Sequence, residues 1–257
     1  LQSYFAVGKI RQFKKEMNDL IYTTKENTFT VSDVNPLDVL LEQDYVKEVL
    51  DYVGEKVSIN EHFKAHTRSY TRHYFEKDTV DEPIAAVQHI TFAQLNARAI
   101  LSVFEAKLED GTKSTDVTIE YLDHTDSLTQ KKYIISYVNG VKDLEESFIF
   151  NEELELPEMS TQGDFQAKVI SCFDGGCCKL NGEQYKWCGM GCGSGTPINK
   201  LDTCCRNHDY CYGTFPSMKD RCECDRILIS CSKVSGVAAS SLVIAAFNLK
   251  LARCVFS

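Results

Sequence analysis

All twelve cysteines of this chain lie between Cys172 and Cys254, and the first 171 residues have none. Twelve in the last 86 residues is about 14%, well above the density that marks a disulfide scaffold. The number is even, and such a density points to an oxidising compartment and therefore to a secreted protein. Zinc is the rival reading. The adjacent pairs Cys177-Cys178 and Cys204-Cys205 and the Cys222-x-Cys224 pair lack the two-residue spacer of common zinc sites.

The cysteine boundary is also a charge boundary. Residues 1–165 carry 17 Lys and Arg against 30 Asp and Glu, and residues 166–257 carry 11 against 7. The balance is therefore -13 in the first part and +4 in the second. This argues against nucleic acid as a partner, and it is compatible with an anionic lipid surface for the second part. Polar residues, a Pro and a Gly interrupt the pattern in "ELPEMSTQGDFQAK", residues 155–168. Two domains are expected. Residues 1–165 form an acidic, Cys-free α+β domain, and residues 166–257 a small all-α domain, so the whole is α+β. The chain begins at Leu1 without a signal peptide, as a processed chain would. No stretch of ~18 apolar residues is present, and the longest mostly apolar run, Gly236 to Leu249, is expected to be a packed helix.

In residues 7–22, Val7, Ile10, Phe13, Met17 and Leu20 recur at three and four, which predicts an amphipathic helix, docked on its own domain in the favoured reading and lying on a membrane surface in the alternative. A second helix is capped by Asn35, opened by Pro36 and ended by Gly54, with Val39, Leu40, Val46, Val49 and Val53 on its apolar side. Segments 99–108, 114–123 and 131–140 are rich in β-branched and aromatic residues and predict strands, with 147–151 as a fourth. "EDGTKS" and "NGVKD" are turn-like. An antiparallel meander packed by helices is the expected fold of this part. His62 and His66 stand at i, i+4, a spacing that can hold a metal on a helix, with His73 further on. No third ligand type stands out, so an exposed polar helix face is the expected reading.

The densest chemistry is "DTCCRNHDYCYG", residues 202–213. Cys204 and Cys211 are seven apart, two helical turns, and so lie on one face. Cys224 and Cys231 repeat the spacing. Two antiparallel helices could be stapled at both rungs, Cys204 to Cys231 and Cys211 to Cys224, because a disulfide tolerates only a narrow Cα separation. That register places His208 opposite position 227 and within two residues of Asp225. A carboxylate holding one ring nitrogen of a His makes it a general base. Tyr212, one turn after His208, could donate to Asp225. Asp209 lies about 100° around the helix. Upstream, "WCGMGCGSG" (187–195) is a glycine-rich loop whose carbonyls, with the Asp209 carboxylate, are the hard oxygen donors calcium prefers.

Together, "WCGMGCGSGTPINKLDTCCRNHDYCY" and "CECDR" resemble the calcium loop and active-site helices of the secreted phospholipase A2 family, over about residues 185–232. The resemblance implies calcium-dependent hydrolysis of the sn-2 ester of glycerophospholipids at a membrane or micelle surface. By position it implies His208 as the base, Asp225 and Tyr212 behind it, and Gly189 as the oxyanion amide. Calcium would take the carbonyls of Trp187, Gly189 and Gly191 and the carboxylate of Asp209. The implied disulfides are Cys188–Cys205, Cys204–Cys231 and Cys211–Cys224, with Cys222–Cys254 as in one branch of the family. This leaves Cys172, Cys177, Cys178 and Cys192 unassigned.

The chain departs from the family pattern in five places. Cys192 stands where relatives usually have glycine, and the loop is one residue longer before "SGTP". The segment "GTFPSMKD" between the helices is short. A second tyrosine that often supports the catalytic Asp has no counterpart, and "CFDGGCC" (172–178) replaces the usual N-terminal helix. The alternative function is a non-catalytic toxin or a receptor- or membrane-binding module on the same scaffold. The acidic first part could dock on the basic second part as an inhibitory prosegment, or serve as a binding domain.

Overall fold

The computed structural model describes residues 20–29, 34–76, 86–124, 129–157, 178–180, 183–189, 192–215 and 217–254. Seven strands, β1 (Leu20–Asn27), β2 (Thr67–Glu76), β3 (Ala86–Asn96), β4 (Ala99–Leu108), β5 (Lys113–His124), β6 (Gln130–Val138) and β7 (Val141–Ile149), form one antiparallel sheet in sequence order. The expected meander is present with three more strands than the sequence suggested. Residues 99–108 are β4 without a shift of boundary, and the segment expected as a fourth strand is the end of β7. Asn139 (φ 51°) and Gly140 (φ 76°) make the two-residue β6–β7 turn, a conformation that favours Asn-Gly.

Successive side chains on a strand point to opposite faces, and in this sheet parity sorts the core. Odd-numbered residues Ala93, Leu95, Leu101, Val103, Val117, Ile119, Tyr121 and Ile135 pack against α1 (Pro36–Leu41) and α2 (Asp44–Val53). Even-numbered residues Tyr70, Ile90, Phe92 and Phe104, with Tyr74, Ala106 and Leu108, pack against the C-terminal helix α5 (Ser240–Cys254). With both faces covered, β4 is buried at eight of ten positions. This explains why its sequence only partly alternates: a strand with no solvent face has no polar side to show.

Several expected elements come out differently. Of the helix expected over 7–22, residues 7–19 lie outside the described residues, and Leu20, Ile21 and Tyr22 are in β1. The second helix is two helices. Asn35 caps the first by accepting from the Leu37 amide, and Gly54 (φ 56°) ends the second. The break at Glu42–Gln43 changes the helical phase, so Leu37 is buried while Val39 is exposed. His62 and His66 lie in and just after a short 3-10 turn (Glu61–Ala65), and His73 is on β2. The His62 and His66 rings are 6.2 Å apart and exposed, and His66 bonds Gln94 (3.2 Å). No group of three or more His, Cys, Asp or Glu among the described residues could hold a metal.

The cysteine-rich part contributes the small hairpin β8 (Lys179–Leu180) and β9 (Glu183–Gln184), then α3 (Lys200–Thr214), α4 (Met218–Lys233) and α5. The expected apolar run is α5, and its core position is as predicted. Among the described residues no helix is long and apolar enough to cross a membrane. Of residues 155–168, where the two parts were expected to meet, 158–168 lie outside the described residues. The parts touch elsewhere, through the even-numbered sheet face, and that contact is not purely apolar. Lys233 Nζ donates to both Asp116 oxygens (2.9 and 2.8 Å), with both side chains fully buried. Gln88 Nε2 donates to the Ala245 carbonyl (2.9 Å).

Candidate functional site

Asn199 starts α3, its side chain accepting from the Asp202 amide (2.9 Å). The Asp202 carboxylate is fully buried and turns outward to the loop ahead of the helix. It accepts from the amides of Lys186 (3.1 Å), Trp187 (2.7 Å), Cys188 (3.1 Å) and Ile198 (3.0 Å). One carboxylate thus gathers four backbone donors and sits at the positive end of α3, where negative charge is favoured. Sequence reasoning missed Asp202. Its signal was an acidic residue three positions after a capping Asn.

Disulfides complete the frame. Cys204–Cys231 and Cys211–Cys224 are both present with Cα separations of 5.8 Å, so the two-rung ladder stands as the spacing required. Cys188–Cys205 pins the loop to α3, and Cys222–Cys254 pins α4 to α5. Cys178–Cys192 settles the partners of two cysteines left unassigned above. Cys172 and Cys177 lie outside the described residues. Within the loop, the Trp187 indole donates to the Gly195 carbonyl (2.9 Å) and its ring meets Tyr210 edge-on at 5.5 Å. Gly189 has φ 130°, which excludes a side chain without strain, and its carbonyl accepts from the Cys192 amide (3.3 Å). Gly191 lies outside the described residues.

The ladder brings His208 and Asp225 together. His208 Nε2 is 2.8 Å from Asp225 Oδ1, and both side chains are buried. Tyr212 donates its hydroxyl to the same oxygen at 2.6 Å. Ile227, the residue directly opposite His208 in the register, is exposed instead. An ionised carboxylate only accepts, so neutral His208 carries its proton on Nε2 and leaves Nδ1 as a lone pair. Asp209 Oδ1 is 3.7 Å from that Nδ1, with its side chain 40% exposed. Burial pushes the His208 pKa down, but the Asp209 and Asp225 carboxylates outweigh it and hold the imidazole above its ordinary value. Burial, and then the Asp225 charge, push the Tyr212 phenol far up, so it remains a donor.

Sequence reasoning also missed Phe247 and Lys250 on α5. The Phe247 ring meets His208 edge-on at 4.9 Å, and Lys250 Nζ lies 4.1 Å from the Phe247 centroid. The buried imidazole is thus covered by an aromatic ring from one side and tied by a carboxylate from another. The Asp209 carboxylate, 40% exposed, is an oxygen donor of the kind a hard ion such as calcium takes.

Curated proteins are similar to part of this chain. Basic phospholipase A2 3 of Bungarus caeruleus is 39% identical over 64 residues, 22% of this chain and 46% of that protein. Acidic phospholipase A2 DE-III of Naja melanoleuca is 41% identical over 63 residues, 21% of this chain and 52% of that protein. The chain spans about half the length of the curated relatives it matches. No protein-family model matches the chain, and no solved structure does. The chain thus contains a phospholipase A2-like region by distant, partial similarity, on a disulfide framework consistent with an extracellular protein.

Proposed function

We propose that this chain is a secreted, calcium-dependent phospholipase A2 that releases the sn-2 fatty acid from glycerophospholipids at a membrane or micelle surface. The observation that carries this reading is the buried His208–Asp225 hydrogen bond, which leaves the other ring nitrogen with a lone pair. His208 Nδ1 takes a proton from a water molecule as the water oxygen attacks the sn-2 carbonyl carbon. The Nε2–H bond to Asp225 holds the tautomer and stabilises the imidazolium that forms. Tyr212 shares the charge on Asp225. The Gly189 amide faces the developing oxyanion. His208 then returns the proton to the leaving alkoxide, the ester C–O bond breaks, and a fatty acid and a lysophospholipid leave. Asp209 and the carbonyls of Trp187, Gly189 and Gly191 would hold calcium, which when bound supplies positive charge next to the oxyanion.

The test is fatty acid release from mixed phospholipid vesicles by the full chain, His208→Gln and Asp209→Asn, with calcium and with chelator. Release should need calcium and should fall roughly 10²- to 10⁴-fold in His208→Gln, the usual worth of a general base. Asp209→Asn should require far more calcium. Release that survives in His208→Gln would end this reading.

A further inference from the structure

One stripe of α5 faces the stapled pair: Val243, Phe247, Lys250 and Cys254, spaced four, three and four apart. Val243 packs with α3 and α4 residues, Phe247 touches His208, and Cys254 is bonded to Cys222. A lysine in such a stripe is out of place by hydrophobic patterning. Among the described residues its ammonium has no ion pair, and its close partner is the Phe247 ring at 4.1 Å.

The third staple decides what this lysine faces. One turn inward from Cys254 is Lys250, and three residues inward from Cys222 on the antiparallel α4 is Asp225. The Cys222–Cys254 bond therefore does for Lys250 what the two-rung ladder does for Asp225. On Asp225, both hydrogen bonds from described residues fall on Oδ1. The carboxylate is 4% exposed and carries a full charge through the reaction proposed above. We propose that Lys250 is a positioning residue of this site, its ammonium compensating the buried Asp225 carboxylate and so holding the Asp225–His208 hydrogen bond in place. Burial holds the half-buried Lys250 ammonium below the ordinary lysine pKa, and the Asp225 charge offsets this only in part. Stability alone does not account for the residue, because an apolar side chain of similar length would fit the stripe without desolvating a charge.

The inference rests on the reading of the site given above, so its test needs an arm that does not depend on turnover. The full chain is compared with Lys250→Met and Lys250→Arg, and Lys250→Gln replaces the methionine variant should that one not fold. In the first arm, nitrogen-15 shifts of the His208 ring, assigned by their loss in His208→Gln, report its tautomer while the ring is neutral. The wild type and Lys250→Arg should show the single Nε2–H form, and Lys250→Met a mixture. In the second arm, Lys250→Met should lose roughly 10- to 100-fold in kcat with KM little changed, the scale seen when a supporting partner of a site residue is removed. Lys250→Arg should recover most of it, and the melting temperature of Lys250→Met should hold or rise. A wild-type tautomer and wild-type kcat in Lys250→Met overturn the inference. A wild type without calcium-dependent release overturns the proposed function, and the tautomer arm alone then decides for or against Lys250.

Discussion

The two faces of the sheet are built differently. The odd-numbered face meets α1 and α2 through an apolar centre, among it Leu101, Val117 and Ile119, each at most 1% exposed, with its polar contacts at the rim, where Tyr45 donates to Glu105 (2.7 Å) and Tyr52 to Glu145 (2.6 Å). The even-numbered face meets the stapled helices through an apolar centre of Tyr70, Ile90, Phe92 and Phe104, flanked by buried polar groups. Arg72, Tyr74 and Gln88 form a hydrogen-bonded chain that ends on the Ala245 carbonyl, and Lys233 meets Asp116. An apolar contact tolerates sliding, whereas a buried ion pair has low energy in one register only. The α1–α2 layer is thus held mainly by area, and the phospholipase-like layer by area together with a fixed registry. That registry matters more on the second face, because α5 also covers His208.

The sharpest way to break the comparison is to remove the sheet. Residues 166–257 alone would expose Ile244, Leu249 and Leu251 of α5, each losing about 1.5–3 kcal/mol of burial. This fragment should show no cooperative thermal transition and should bind an apolar dye. A sharp melt would mean that the stapled helices are independent of the sheet. Next in size, Asp116→Ala leaves Lys233 buried and unpaired and should cost about 3–5 kcal/mol in denaturant titration. The double variant Asp116→Leu/Lys233→Met should be neutral or stabilising, because two desolvated charges are replaced by apolar contact. Parity between the single and double variants would refute the registry argument. On the other face, Asn35→Ala removes the cap of α1 and should cost only about 1 kcal/mol, read as a small shift of the same transition. A larger loss there would show that the α1–α2 layer also depends on polar registry.

Legibility in the sequence followed the range of the interaction. Strands β4, β5 and β6 were readable because β-branched and aromatic runs reflect burial within each segment. β2 was not. Its inward positions carry Tyr70, Arg72 and Tyr74, and the buried Arg72 makes the segment look like a polar surface. The helix over 36–53 was predicted as one because the cap and the terminal glycine are local signals, while the break at Glu42–Gln43 has no such signal.

The cysteine spacing by itself offered the ladder as one pairing among several, and the ladder brought Asp225 within two residues of the position facing His208. Helical periodicity and disulfide geometry are both short-range rules, so seven and seven admit one antiparallel register. Only the tertiary structure decided that α5 would cover the imidazole, that Lys250 would lie over the Phe247 ring, and that Lys233 would find Asp116 across 117 residues. Those contacts depend on which face of the sheet receives which helix, a choice made by the summed fit of the packed layers rather than by any single segment of the chain.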